Sequence, residues 1–97
     1  MKIQFLYPEY ERLGTDRSFD AGLPADVVAS YRKRLVFIDG TLNERDFHAI
    51  KSLRFKKILD ENQMKYSIYL KDKWKLIIKL DNDNQTVIIN SITNEEV

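Results

Sequence analysis

Lys75 and Lys79 alternate with Trp74, Leu76, Ile78 and Leu80 in one short run. Side chains alternate across a strand, so this run reads as a strand with one apolar face and one cationic face. Flanked by two core-facing residues, Lys75 should project from the open face of a sheet, and Lys79 should share that face. Arg54 and Lys56 have the same parity in a neighbouring strand-like segment, 54–58. Tyr69 lies in the hairpin partner of the first run and shares its face with Ser67. Cations that converge on a phosphate neutralise it and stabilise charge developing at phosphorus, and an arginine adds bidentate geometry. A tyrosine beside them could stack on an unpaired base. The plainer alternatives are solvated lysines that guard strand edges and a Tyr69 that packs across the hairpin.

Other chemistries find little support. The sequence holds no Gly-rich phosphate loop, no Ser/His/Asp arrangement and no His/Cys/carboxylate cluster with metal-ligand spacing. His48 is the only histidine. It stands beside Phe47 in a predicted helix, on the side of the sheet away from the lysines, and reads as a surface or interface residue. Arg32-Lys33-Arg34 could touch a partner, or simply solvate a helix face. Glu95 and Glu96 could accept a proton near the cationic face, although an acidic terminus that frays is the plainer reading.

The elements that must position these groups follow from pattern. Residues 2–7 read as a short strand ended by Pro8, and residues 8–23 as a loop or weak first helix rich in turn formers. Pro24 suits the first turn of a helix. Val27, Val28, Tyr31, Leu35 and Ile38 then recur at helical spacing, and Gly40 marks the stop. Asn43 looks like the N-cap of a second helix with Phe47, Ile50 and Leu53 on its apolar stripe. After Leu53 the period becomes two. Segment 54–58, the turn 60–62, strands 65–71 and 73–80, the turn 81–84 and a last strand 85–92 follow in order. Helices followed by consecutive strands predict an α+β fold, with two N-terminal helices on one face of a mostly antiparallel sheet of four or five strands.

At 97 residues the chain is one domain with one core. It has no cysteine for disulfides and no run of ~20 apolar residues to span a membrane. The N-terminus does not read as a secretory signal, and a cytoplasmic location is expected. The net charge of +1 hides a block structure: residues 51–79 carry nine basic and three acidic side chains, and residues 80–97 carry four acidic and no basic ones. Such a block can attract a polyanion even in a nearly neutral chain.

The order of elements and four local matches resemble the RelE-fold toxins, within them the HigB or plasmid maintenance system killer group. The matches are Leu23-Pro24 opening a helix with Arg32-Lys33-Arg34-Leu35, the polar-acidic run Asn43-Glu44-Arg45-Asp46-Phe47, Arg54 before the first central strand, and Tyr66-Ser67-Ile68 followed by Lys73-Trp74-Lys75-Leu76. The similarity runs from about residue 23 to near the end. It implies a toxin of a type II toxin–antitoxin pair that cleaves mRNA in the ribosome without metal or cofactor. It implies a HigA-like helix-turn-helix antitoxin as partner, with operator DNA bound only through the toxin–antitoxin complex and no membrane partner. On this resemblance Lys75, Arg54 and Tyr69 are the candidate catalytic residues. Lys56, Lys57, Lys65, Lys73 and Lys79 are the candidate RNA contacts.

The chain departs from the family pattern in several places. Lys75 stands where the family has arginine, Leu59 and Asn62 where it has basic residues, and Asp60 and Met64 where it has turn glycines. The family's terminal acidic-Tyr-His cluster is replaced by Thr93-Asn94-Glu95-Glu96-Val97. The alternative expectation is therefore a catalytically degenerate member that binds antitoxin or RNA without cutting.

Overall fold

The computed structural model of the chain describes residues 1–60, 63–81, 83 and 85–96. Asn62, Asn82 and Asn84, read above as turn residues, lie outside these. Strand β1 (Lys2–Phe5) leads into helices α1 (Pro8–Thr15), α2 (Ala25–Gly40) and α3 (Glu44–His48) and a 3-10 turn at Lys51–Leu53. Strands β2 (Lys56–Asp60), β3 (Gln63–Lys71), β4 (Trp74–Asp81) and β5 (Thr86–Thr93) follow. They form one five-stranded sheet in the order β1-β5-β4-β3-β2. Only the β1–β5 pairing is parallel; the others are antiparallel. The fold is α+β, as the element order predicts, but with three helices among the described residues instead of two.

The extra helix falls in the segment read as a loop or weak helix. Pro8 sits in its first turn, where a missing N–H is tolerated, and Leu13 is fully buried. The turn formers act after it: the Asp16 N–H closes the helix on the Arg12 carbonyl. Pro24 is the residue before α2, not part of its first turn. Val27, Val28, Tyr31 and Ile38 are buried as their spacing predicts, and Leu35 packs against them. The Met1 ammonium donates to the carbonyls of Ile38, Asp39 and Thr41, which supplies donors to the orphan C-terminal end of α2.

Asn43 caps α3 as expected. Its side chain accepts from the Arg45 N–H at 3.0 Å, and the Asp46 carboxylate accepts from the Asn43 N–H in return. The helix ends at His48, so it cannot carry the apolar stripe to Leu53. Leu53 is buried from the 3-10 turn, and Ile50 stays exposed. Strand β2 begins at Lys56, two residues later than the sequence pattern suggests, because Arg54 adopts left-handed backbone at φ 48°.

Tyr66, Ile68, Leu70, Leu76, Ile78, Val87 and Ile89 form the sheet's contribution to the core, joined by Leu13, Tyr31, Ile38 and Phe47 from the helices. Trp74 is half-buried against this cluster. Phe55 stacks between Phe47 and Tyr66 at ring distances of 5.0 and 4.8 Å. A bulge opposes Ile77–Ile78 to Ser91 and Ile89, so Asn90 is the extra residue in β5. The bulge keeps Ile92 on the core side, three residues after Ile89 instead of two.

Two groups from the helices lock the layers. The Tyr31 hydroxyl donates to the Tyr10 carbonyl at 2.7 Å. Arg32 donates to three carbonyls, those of Leu13, Asp16 and Phe19, at 3.0 to 3.3 Å. It thereby ties the segment after α1 onto α2. Arg32→Met is expected to cost about 1.5–3 kcal/mol in urea unfolding, whereas exposed Lys33→Ala should stay within about 0.5 kcal/mol.

Burial raises the pKa of Tyr31 well above its ordinary 10.0, with the Tyr10 hydroxyl adding to the rise. Burial raises Tyr66 as well, and the Glu44 carboxylate reinforces it. Both therefore stay protonated longer in the folded than in the unfolded chain. Their stabilisation is complete below about pH 10 and is lost as pH climbs above it. Stability followed by circular dichroism should fall above pH 10, and Tyr31→Phe should flatten that decline.

Candidate functional site

The strand registers decide which side chains share the open face. Lys56 pairs with Ser67, Ser67 with Ile77, and Tyr69 with Lys75. Core-facing Tyr66, Ile68, Leu76 and Ile78 alternate with these, so Lys56, Ser67, Tyr69, Lys75 and Ile77 all lie opposite the helices. Arg54, Lys56, Ser67, Tyr69, Asp72 and Lys75 surround a cavity of about 190 Å³ on this face. Three of its six residues are cations.

Each is held by a local device. The Arg54 guanidinium lies over the Tyr69 ring, 4.4 Å from its centroid. That contact fixes the arginine at the cavity and occupies one face of the ring expected to stack on a base. The Tyr69 hydroxyl accepts from the Asp72 N–H at 3.0 Å, which sets the ring against the hairpin turn. Asp72 closes that turn with left-handed backbone at φ 52°, and a register shift between Tyr69 and Lys71 accompanies it. From beneath, Arg34 of α2 donates from Nε to the Tyr69 carbonyl at 3.2 Å. Burial lowers the Arg34 pKa, and the Tyr69 side chain opposes that shift. Ser67 forms the floor with only 4% exposure.

The remaining candidate residues divide by position. Lys57 pairs with Tyr66 and so faces the helix side, away from Lys56. Period two in β2 makes it impossible for both lysines to serve one surface. Lys73 is exposed in the hairpin turn and does not line the cavity. Lys79 is on the open face opposite Ile88, about 13 Å along the strand from Lys75. Lys65 is half-buried and lines a second cavity on the same face, with Ile58 and Ile77. His48 lies on the helix side, 3.3 Å from the Glu44 carboxylate and edge-on to Phe55. Arg32 and Arg34, read as partner contacts or solvated charges, have the backbone carbonyls described above as partners.

Asn90 is the residue that pattern reading passes over. Its signal is present in the sequence: Val87 and Ile89 are two apart but Ile92 follows at three, the mark of one inserted residue. Glu95 and Glu96 also line the second cavity, so the acidic end of the chain reaches the cationic face.

Among the described residues no helix is long and apolar enough to cross a membrane, and no His/Cys/Asp/Glu group is arranged to hold a metal. The left-handed Arg54 gives a direct test of this geometry. Arg54→Gly should be more stable than Arg54→Ala by about 1 kcal/mol in denaturant unfolding, because only glycine adopts that backbone without strain. No family model matches the sequence, and no curated protein matches it significantly.

Proposed function

We propose that this chain is a RelE-fold toxin of the HigB-like group that cleaves mRNA on the ribosome. The observation that carries the reading is the convergence of Arg54, Lys56 and Lys75 with Tyr69 around one cavity on the uncovered face of the sheet. Three cations from two separate segments suit a phosphodiester, and the aromatic ring beside them suits an RNA strand.

In this chemistry the 2′-oxygen attacks the adjacent phosphorus and the 5′-oxygen leaves, giving a 2′,3′-cyclic phosphate and a free 5′-hydroxyl. Lys75 and Arg54 would stabilise the negative charge that builds on the non-bridging oxygens. Lys56 would hold the strand, and Tyr69 would orient Arg54 through the stacked ring. The partner on this reading is a HigA-like helix-turn-helix antitoxin, and operator DNA is bound only by the pair.

A second reading, RNA or antitoxin binding without cleavage, draws on the position of His48. The imidazole sits with Glu44 and Phe55 on the helix side, so it offers no acid or base to the cavity. The C-terminal segment supplies Glu95 and Glu96 where the resemblance would have tyrosine and histidine.

Incubating the protein with programmed ribosomes and mapping new mRNA 5′ ends separates the two. Cleavage in the A-site codon that drops by roughly two orders of magnitude or more in Lys75→Ala or Arg54→Ala is the expected result. Ribosome binding without cleavage would select the second reading. Neither binding nor cleavage would overturn the toxin reading and RNA binding alike.

A further inference from the structure

The open face carries a second cavity beside the cationic one, and its chemistry is different. Its volume is about 400 Å³, within the ~300–1,000 Å³ range of small-molecule sites. Ile58 and Ile77 give it an apolar floor, and Ile77 is only 4% exposed although it faces away from the helices. Asn90, set apart by the bulge in β5, and Ser91 line one side. The Asn90 Nδ2 donates to the Ser91 Oγ at 3.1 Å, which fixes the carboxamide. Glu95 and Glu96 line it as well, and the Glu95 N–H donates to the Thr93 hydroxyl at 3.1 Å, which bends the terminal segment there.

The two cavities are displaced by one pleat. Ile58, Lys65 and Ile77 are each two residues from Lys56, Ser67 and Lys75 on the same three strands, a shift of about 7 Å. Charge distinguishes them. Here two carboxylates, Glu95 and Glu96, outnumber the single cation Lys65 and disfavour a phosphate, so the second cavity suits a neutral, flat group with hydrogen-bond donors. A nucleobase fits that description, and the bases differ in their donors. Guanine alone presents two adjacent donors, N1–H and N2–H, on its Watson–Crick edge, and one carboxylate can accept both at once. Adenine and cytosine offer one amino group beside an acceptor, and uracil one N–H between two acceptors.

We infer that this second cavity binds a guanine base, with Ile58 and Ile77 beneath the ring and Glu95 or Glu96 on its donor edge. The inference rests on the RNA reading of the face, and deepens it: the cationic cavity holds the phosphates while the neighbouring one selects the base. Asn90 and Ser91 supply the remaining polar contacts.

Neutral nucleosides test the base cavity without engaging the phosphate site. Guanosine titrated into isotope-labelled protein should shift the Asn90 side-chain amide and the Glu95 and Glu96 backbone amides. Adenosine should bind on the order of tenfold more weakly. The double variant Glu95→Gln, Glu96→Gln should lose that preference; both residues are exposed, so the fold is not at risk. Equal shifts from both nucleosides, no shift from guanosine, or a preference that survives the double variant would overturn the inference. Oligoadenylate, added to the same protein, reports on the RNA reading separately through the Arg54, Lys56 and Lys75 resonances. Oligoadenylate binding with no guanosine preference overturns the base cavity alone. Guanosine preference without oligoadenylate binding supports the base cavity and overturns the RNA reading.

Discussion

The register between β3 and β4 is the constraint on which the open face depends. Ile68 opposite Leu76 and Tyr66 opposite Ile78 place four buried side chains under the helices. Burying such a side chain contributes about 1.5–3 kcal/mol, so the pairing is strongly specified. Tyr69 opposite Lys75 and Ser67 opposite Ile77 follow from the same register, because a slip of one residue would exchange the two faces. The cationic cavity is thus positioned by the core rather than by interactions of its own. The hairpin turn at Asp72 completes the arrangement, its N–H donated to the Tyr69 hydroxyl.

Around that register, Arg54 and Arg34 act from opposite sides of one residue. Arg34 holds the Tyr69 carbonyl from the helix layer, and Arg54 covers the Tyr69 ring from the open face. The strand segment that carries the ring is therefore held at its backbone and its side chain together. Acidic groups flank this ensemble: Asp72 at the turn, and Glu95 and Glu96 across the neighbouring cavity. The positive charge of this face is thus concentrated at the cationic cavity instead of spread evenly along the sheet.

Much of this was legible in the chain because the signals were periodic. Trp74 to Leu80 alternates at every position but Ile77, and it yielded the strand, its apolar face and the position of Lys75. Asn43 and the helical spacing from Val27 to Ile38 were equally plain. The failures lie where local geometry departs from a repeat. Helix α1 was hidden by Gly14 and the turn formers after it, and its burial depends on Leu13 meeting α2, a tertiary contact. Arg54 read as a strand residue because nothing in an arginine announces left-handed backbone. Lys57 was grouped with Lys56 by charge, although period two sends them to opposite faces. The stack of Arg54 on Tyr69 joins residues 15 positions apart, beyond any pattern of spacing.

The central claim is that one face of this sheet holds RNA phosphates through Arg54, Lys56 and Lys75. The salt dependence of binding to a short single-stranded RNA measures it most directly. Each phosphate contact contributes about 0.7 to the slope of log K against log salt for a single strand. The slope should fall by about that amount in Arg54→Ala, Lys56→Ala and Lys75→Ala, and should stay unchanged in Lys57→Ala on the opposite face. A slope insensitive to the first three variants, or lowered as much by Lys57→Ala, would contradict the account.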